Sequence, residues 1–187
     1  MKSMFYGCTS LTTIPQLNTT KVTDMTTMFY NCSKLTTIPQ LNTTKVTTMN
    51  SMFNGCSLLQ SIPQLDTTKV TDMKNMFYNC KALQTIPLLD CSSVTNIGTF
   101  FGYSNITTLT DLGGFKNLKI DWKDDYGLVK LPNLTYESVM NVINNLYDFR
   151  GNGDTTTTRT IKFNANSKVL LSDEDIAIAT NKGWTIS

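Results

Sequence analysis

The chain repeats one 24-residue phrase four times. The run MFYGCTSLTTIPQLNTTKVTDMTT begins at Met4 and returns, lightly edited, at Met28, Met52 and Met76. A strict period of this length specifies a stack of like units in which each layer packs only on its neighbours. A single private core is therefore excluded for this part of the chain. The period also shifts the functional expectation from chemistry to display, because a regular stack offers a long regular face.

Composition narrows the function classes. Charged residues make up 16 % of the 187-residue chain, and 31 threonines stand in their place. Ordinary soluble domains carry about 25 % charge. Net charge is +2, and neither half departs far from neutrality. No basic footprint for nucleic acid is present, and no apolar run approaches the ~18 residues of a membrane span. Histidine is absent, which removes the commonest general base and the commonest zinc ligand. No cofactor, metal or catalytic constellation is expected. The opening MKSMFYGC enters the repeat at once and carries no secretory leader. That absence points towards a cytoplasmic home; because the chain opens in mid-repeat, an upstream part is also expected.

Within the third repeat, Val70, Met73, Met76, Phe77 and Cys80 fall at i, i+3, i+6, i+7 and i+10. This spacing predicts one stripe of a helix, capped by Thr67 or Thr68, with Asp72 in its first turn. Asn79 and Gly55 occupy the helix end of their repeats, where a left-handed residue is often needed. The segment from Leu83 to Leu89 is too short for a helix and reads as a strand. Pro15, Pro39, Pro63 and Pro87 cannot donate to a ladder, so each strand is expected to end at the preceding isoleucine. Cys8, Cys32, Cys56 and Cys80 mark the same register. One thiol per layer suits a buried column better than a zinc cluster, which needs close pairs. Cys91 lies outside the column and is expected to be exposed and the most reactive.

After residue 98 the letters change but the rhythm continues. Residues 1–97 hold the regular repeats; residues 98–187 read as degenerate repeats and a C-terminal cap. Equating Ile14, Ile38, Ile62, Ile86, Leu109, Leu131, Ile161 and Trp184 gives eight turns. Thr135 caps an expected helix carrying Val139, Val142, Ile143 and Leu146, and Ser172 opens another that stops near Gly183. Strands are expected at Thr160–Phe163 and Trp184–Ile186, an extended segment from Phe115 to Trp122, and a mobile loop at Gly151–Asp154.

The string C-x-x-L-x-x-I-P-x-L-x-T-x-x-V-T-x-M-x-x-M-F-x-x-C resembles the BspA-like leucine-rich repeats of bacterial surface proteins, closely over residues 1–97. The endings LTYESVMNVINNLYD and ATNKGWTIS look like the terminal segment often attached to such arrays. The resemblance implies an α/β leucine-rich-repeat solenoid of about eight turns, each a short parallel strand plus helix, with irregular capping turns at the C-terminal end. It also implies a non-catalytic protein at the cell surface or outside the cell. Its partner would be a protein or glycan on a host or neighbouring cell, in an adhesion-type role. A phage-encoded receptor-binding or tail-associated protein and a structural spacer from a larger surface protein are the alternatives.

Candidate binding residues are periodic columns. Thr13, Thr37, Ser61, Thr85 and Thr108 are expected to point outward from the strand face. Gln16, Gln40 and Gln64 follow the prolines at the rim. Tyr6, Tyr30 and Tyr78 form an aromatic column interrupted by Asn54, and Lys21, Lys45 and Lys69 form a basic one. Duplication alone also makes identical residues recur. Asp121, Asp124 and Asp125 lack the alternating oxygens of a calcium loop and read as a solvated turn. The first repeat is as apolar as the internal ones, so residues 1–17 are expected to be covered, for example in a head-to-head homodimer. If 24 residues are the structural unit, deleting Met25 to Thr48 leaves every surviving layer among like neighbours. Urea unfolding of that deletion is expected to remain a single cooperative transition at a lower midpoint; a broad or multiphasic curve would refute the unit.

Overall fold

The computed structural model describes residues 1–102, 106–123 and 127–187. The repeats stack as expected, but the segment expected to be helical is a run of tight turns. Its backbone donors alternate in destination. Met28, Tyr30 and Cys32 donate back three residues, to the carbonyls of Met25, Thr27 and Phe29. Met25, Thr27, Phe29 and Asn31 between them donate to the next layer, at the carbonyls of Thr48, Asn50, Met52 and Asn54, over 2.7–3.1 Å. A helix would consume all of these groups internally; here half of them bind the layers together.

Left-handed residues produce that alternation. Two occur per layer, at Ser3, Thr27, Ser51, Asn75 and Thr99, and at Gly7, Asn31, Gly55, Asn79 and Gly102. The second series is the one expected at Asn79 and Gly55. The first is unexpected, because a β-branched residue is strained at positive φ. Thr27, at φ 52°, offsets the strain with hydroxyl contacts to the Thr26 carbonyl at 2.8 Å and to Ser3 Oγ at 2.7 Å. Consecutive tight turns return side chains to one face every three or four residues, so they imitate the helical stripe. Met73, Met76, Phe77 and Cys80 are all fully buried. Asp72 accepts from the Lys74 amide in a local turn and opens no helix, and Thr67 donates across layers to the Asp90 carbonyl and caps none.

Side chains continue the stacking. Phe5, Phe29, Phe53 and Phe77 lie ring on ring, with centroids 5.4–5.6 Å apart and planes within 10°. The column ends at Phe100, Phe115 and Trp122, which meet edge to face at 4.7–5.7 Å. Such pairs add about 0.5–1.5 kcal/mol each beyond the area they bury. Cys32, Cys56 and Cys80 are buried, and each thiol donates to the Phe carbonyl of the preceding layer at 3.0–3.1 Å. Cys91, expected to be exposed, is fully buried instead. It occupies the column of Thr19, Thr43 and Thr67, which are themselves 1–2 % exposed. The exposed thiol is Cys8. Met4 and Tyr6 are about half exposed in the first layer, on the face where a head-to-head pairing is expected.

Strands β1 (Thr85–Ile86) and β2 (Leu89–Asp90) flank Pro87, so the first ends where the proline requires. They pair in parallel with β3 (Asp111–Leu112) and β4 (Phe115–Lys116). Ile86 therefore faces Leu112 and not Leu109, and the register after residue 98 slips from that of the eight-turn equivalence. Helix α1 (Tyr136–Asn145) is capped by Thr135 and buries Val139, Val142 and Ile143, as expected. β5 (Arg159–Ile161), the unexpected short helix α2 (Ala165–Lys168), α3 (Asp173–Asn181) and β6 (Trp184–Ile186) complete the chain. Ser172 and Asp175 form a reciprocal cap on α3. β5 pairs with β6 so that Ile161 faces Ile186, again displaced from the expected Trp184. The Gly151–Asp154 loop is tied down. Asp148 accepts from the Gly151 amide at 2.6 Å, and Asp154 accepts from the amides of Thr156 and Thr157.

Burial raises the thiol pKa values, that of Cys32 to about 11, with the same direction at Cys56, Cys80 and Cys91. A group whose folded pKa is raised contributes stability in full below its unfolded value and loses it as pH rises. The unfolding midpoint in urea is thus expected to fall between about pH 8.5 and pH 11. Thiol titration at pH 7 is expected to modify Cys8 first and the other four on unfolding. Early modification of Cys91 would contradict this assignment.

Candidate functional groove

Each repeat runs from its isoleucine-proline step into Gln-Leu-Asx-Thr-Thr. Between β2 and β4 this segment is closed by backbone bonds, from Leu89 to the Gly114 carbonyl and from Cys91 to the Lys116 carbonyl. In the first three layers the same segments share no backbone hydrogen bond. Glutamine side chains bridge them instead. Gln16 Nε2 donates to the Gln40 carbonyl at 2.7 Å, Gln40 Nε2 to the Gln64 carbonyl at 2.6 Å, and Gln64 Nε2 to the Leu88 carbonyl at 2.7 Å. The same amide groups also reach the carbonyls of Leu17, Leu41 and Leu65.

This side-chain bridging coincides with a groove of about 740 Å³ that crosses the layers. One wall is Gln16, Gln40, Gln64 and Leu88; Leu41 and Leu65 belong to the floor segments. The other wall is Asn42, Thr44, Asp66, Thr68 and Asp90, with Lys116 at one end. Both amide protons of each glutamine are directed at carbonyls, which leaves each Oε1 without a donor among the described residues. Asn42 Oδ1 and Asp66 Oδ1 hold the backbone and hydroxyl of Thr44 and Thr68 in tight turns. Those bonds from Thr68, side chain first and then backbone, hold the Asp66 carboxyl below its ordinary value, so it is ionised at neutral pH. Asp90 lies 3.8 Å from the Lys116 ammonium. Thr43 also lines the groove, and its buried Oγ1 has no partner among the described residues. Its counterparts are satisfied, Thr19 Oγ1 by the Asn42 amide and Thr67 Oγ1 by the Asp90 carbonyl.

Of the expected columns, only the glutamines line this groove. Thr13, Thr37 and Thr108 are exposed, whereas Ser61 and Thr85 are half-buried. Thr85 borders a separate concavity of about 310 Å³ with Ile62, Pro87 and Asp111. Thr108 donates to the carbonyls of Lys81 and Leu83 and so stitches layers together. Tyr6 stacks on Tyr30 at 4.7 Å, but Asn54 interrupts the column, and Gly102 lies against the Tyr78 ring so closely that a Cβ there would sit 2.6 Å from it. Asp121 accepts from the Thr160 amide at 2.6 Å and so serves β5; Asp124 and Asp125 lie outside the described residues. Among the described residues no three Cys, Asp or Glu side chains could hold a metal ion. No helix there is long and apolar enough to cross a membrane. The Asx-Thr-Thr wall was missed, although its 24-residue recurrence is as plain as that of the glutamines.

A family model described as "Mycoplasma protein of unknown function, DUF285" matches residues 1–111, more than half of the chain. The chain belongs to that family. No curated protein matches it. A leucine-rich repeat protein from Bacteroides ovatus, known from a crystal structure, is similar at 21 % identity with a TM-score of 0.36. That alignment covers 83 % of this chain and 51 % of the other, so this chain spans about half the length of that protein.

The glutamine bridges and the outward threonines differ in what they hold. Replacing Gln40 with Ala removes one interlayer bond, to the Gln64 carbonyl, and one within its layer, to the Leu41 carbonyl, and is expected to cost about 1 kcal/mol, given that a net hydrogen bond contributes roughly 0.5–1.5. Thr37→Ala removes a hydroxyl without a partner and is expected to change stability by less than about 0.5 kcal/mol. Equal effects in urea titrations would show that the glutamines hold nothing.

Proposed function

We propose that this chain is a non-catalytic, surface-displayed interaction module that binds a protein or glycan in the groove between the glutamine and Asx-Thr walls. The observation that carries this reading is the combination of an open volume of about 740 Å³ with unspent polar groups repeated along it. The volume lies within the ~300–1,000 Å³ typical of ligand sites. The three Gln Oε1 atoms are oriented in advance, because their amide nitrogens are held by backbone carbonyls. A ligand accepting this geometry costs the protein little ordering entropy. The polar groups recur along the groove and do not converge on one point, which suits recognition of an extended partner better than catalysis at a single bond.

The test is immobilised purified protein, wild type and the double variant Thr44→Arg/Thr68→Arg, screened against arrays of glycans and extracellular-matrix proteins. Both threonines are exposed at the groove wall, so the bulk enters the groove and not the core. At least one component is expected to bind wild type and to lose binding to the variant at an unchanged melting temperature. Absence of any binder, or binding that the variant leaves intact, would overturn the reading.

A further inference from the structure

The proposed groove has a length scale and a chemical polarity, and together they select a ligand class. Equivalent rings in successive layers are displaced by 4.7–5.6 Å, close to the ~4.8 Å between neighbouring strands. A ligand lying along the stack meets the same groups once per layer. An extended peptide brings equivalent side chains to one face every two residues, about 6.6–6.8 Å, and falls out of step after one layer. A β-1,4-linked pyranose chain advances by one sugar in close to the layer spacing, with alternate rings turned over, so each layer meets one sugar and like faces return every second layer.

Chemistry points the same way. The unspent groups are mainly acceptors: Oε1 of Gln16, Gln40 and Gln64, and the second carboxylate oxygen of Asp66. Thr43 adds a buried hydroxyl with no partner. A row of acceptors calls for a ligand rich in donors, which hydroxyl-bearing sugars are and lipids are not. Lys116 is the one cation among the described residues of the lining, too little for a polyanion. No aromatic side chain among the described residues lines the groove, so each sugar contributes weakly and affinity accumulates by repetition.

We infer that the groove binds a linear, neutral β-1,4-linked glycan running along the stacking axis, one sugar per layer. This rests on the groove being a binding site at all. Calorimetric titration with N-acetylglucosamine oligomers and, separately, glucose oligomers of two to six units is the test, with α-1,4-linked glucose oligomers as a chain that coils out of register. One β-linked series is expected to gain affinity with each unit up to about four and then level off; the better series identifies the sugar. Two variants write another layer's natural residue into the third layer. Gln64→Leu copies Leu88, and Asp66→Asn copies Asn42. Each is expected to weaken the tetramer about tenfold, the effect of one good hydrogen bond, while remaining folded by thermal melt. Affinity independent of length, equal binding of the coiled series, or no effect of either variant would overturn the inference. If no oligomer binds but a matrix protein binds and is lost in Thr44→Arg/Thr68→Arg, the glycan inference falls and the interaction module stands. If neither binds, both fall.

Discussion

The structure depends on one division of labour in the backbone. In the Met-Phe segment, alternate amides close tight turns within a layer, and the others bind the next layer. That division requires positive φ twice per repeat, which explains Asn75, Asn79 and Gly55 in that segment. Buried backbone groups must be paired, and this scheme pairs them with no helix and with strands of two residues. The Phe column, the thiol column and the glutamine bridges are all consequences of copying that scheme at a fixed spacing. Where the copying stops, near Phe100 and Phe101, the rings turn edge to face and longer helices take over.

The groove exists because the ladder is incomplete at the Gln-Leu-Asx segment. Where backbone bonds do close it, at β2 and β4, the residue in the glutamine position is Leu88. Where they do not, a glutamine amide spans the distance. A side-chain bridge leaves one oxygen over, whereas a backbone bridge leaves nothing. The same substitution therefore changes the chemistry presented to a ligand.

Much of the stack was legible in the sequence because burial repeats with the period. The cysteine column, the Thr135 and Ser172 caps and the proline-terminated strand all follow from local rules. The turns were not legible, because Val70, Met73, Phe77 and Cys80 have the spacing of a helix, while the path departs from one at the left-handed Asn75 and Asn79. Cys91 was misplaced for a related reason. Its column looked polar from the letter Thr, while Thr19, Thr43 and Thr67 are buried with their hydroxyls directed at neighbouring layers or, at Thr43, at nothing. Register beyond residue 98 was lost because Leu109 and Leu112 are both apolar, both buried and three residues apart. Of the groove, one wall was recognised and the other was not.

The exchangeability of layers has a consequence at the level of the coding sequence. Near-identical tandem segments recombine, and each in-frame crossover adds or removes one whole layer. In most folds such an event leaves a broken core. Here the product meets like residues at both junctions, so the length of the stack can change without first having to rescue folding. Lineages carrying such a gene can vary the length of the stack by counting repeats, and revert by the same route.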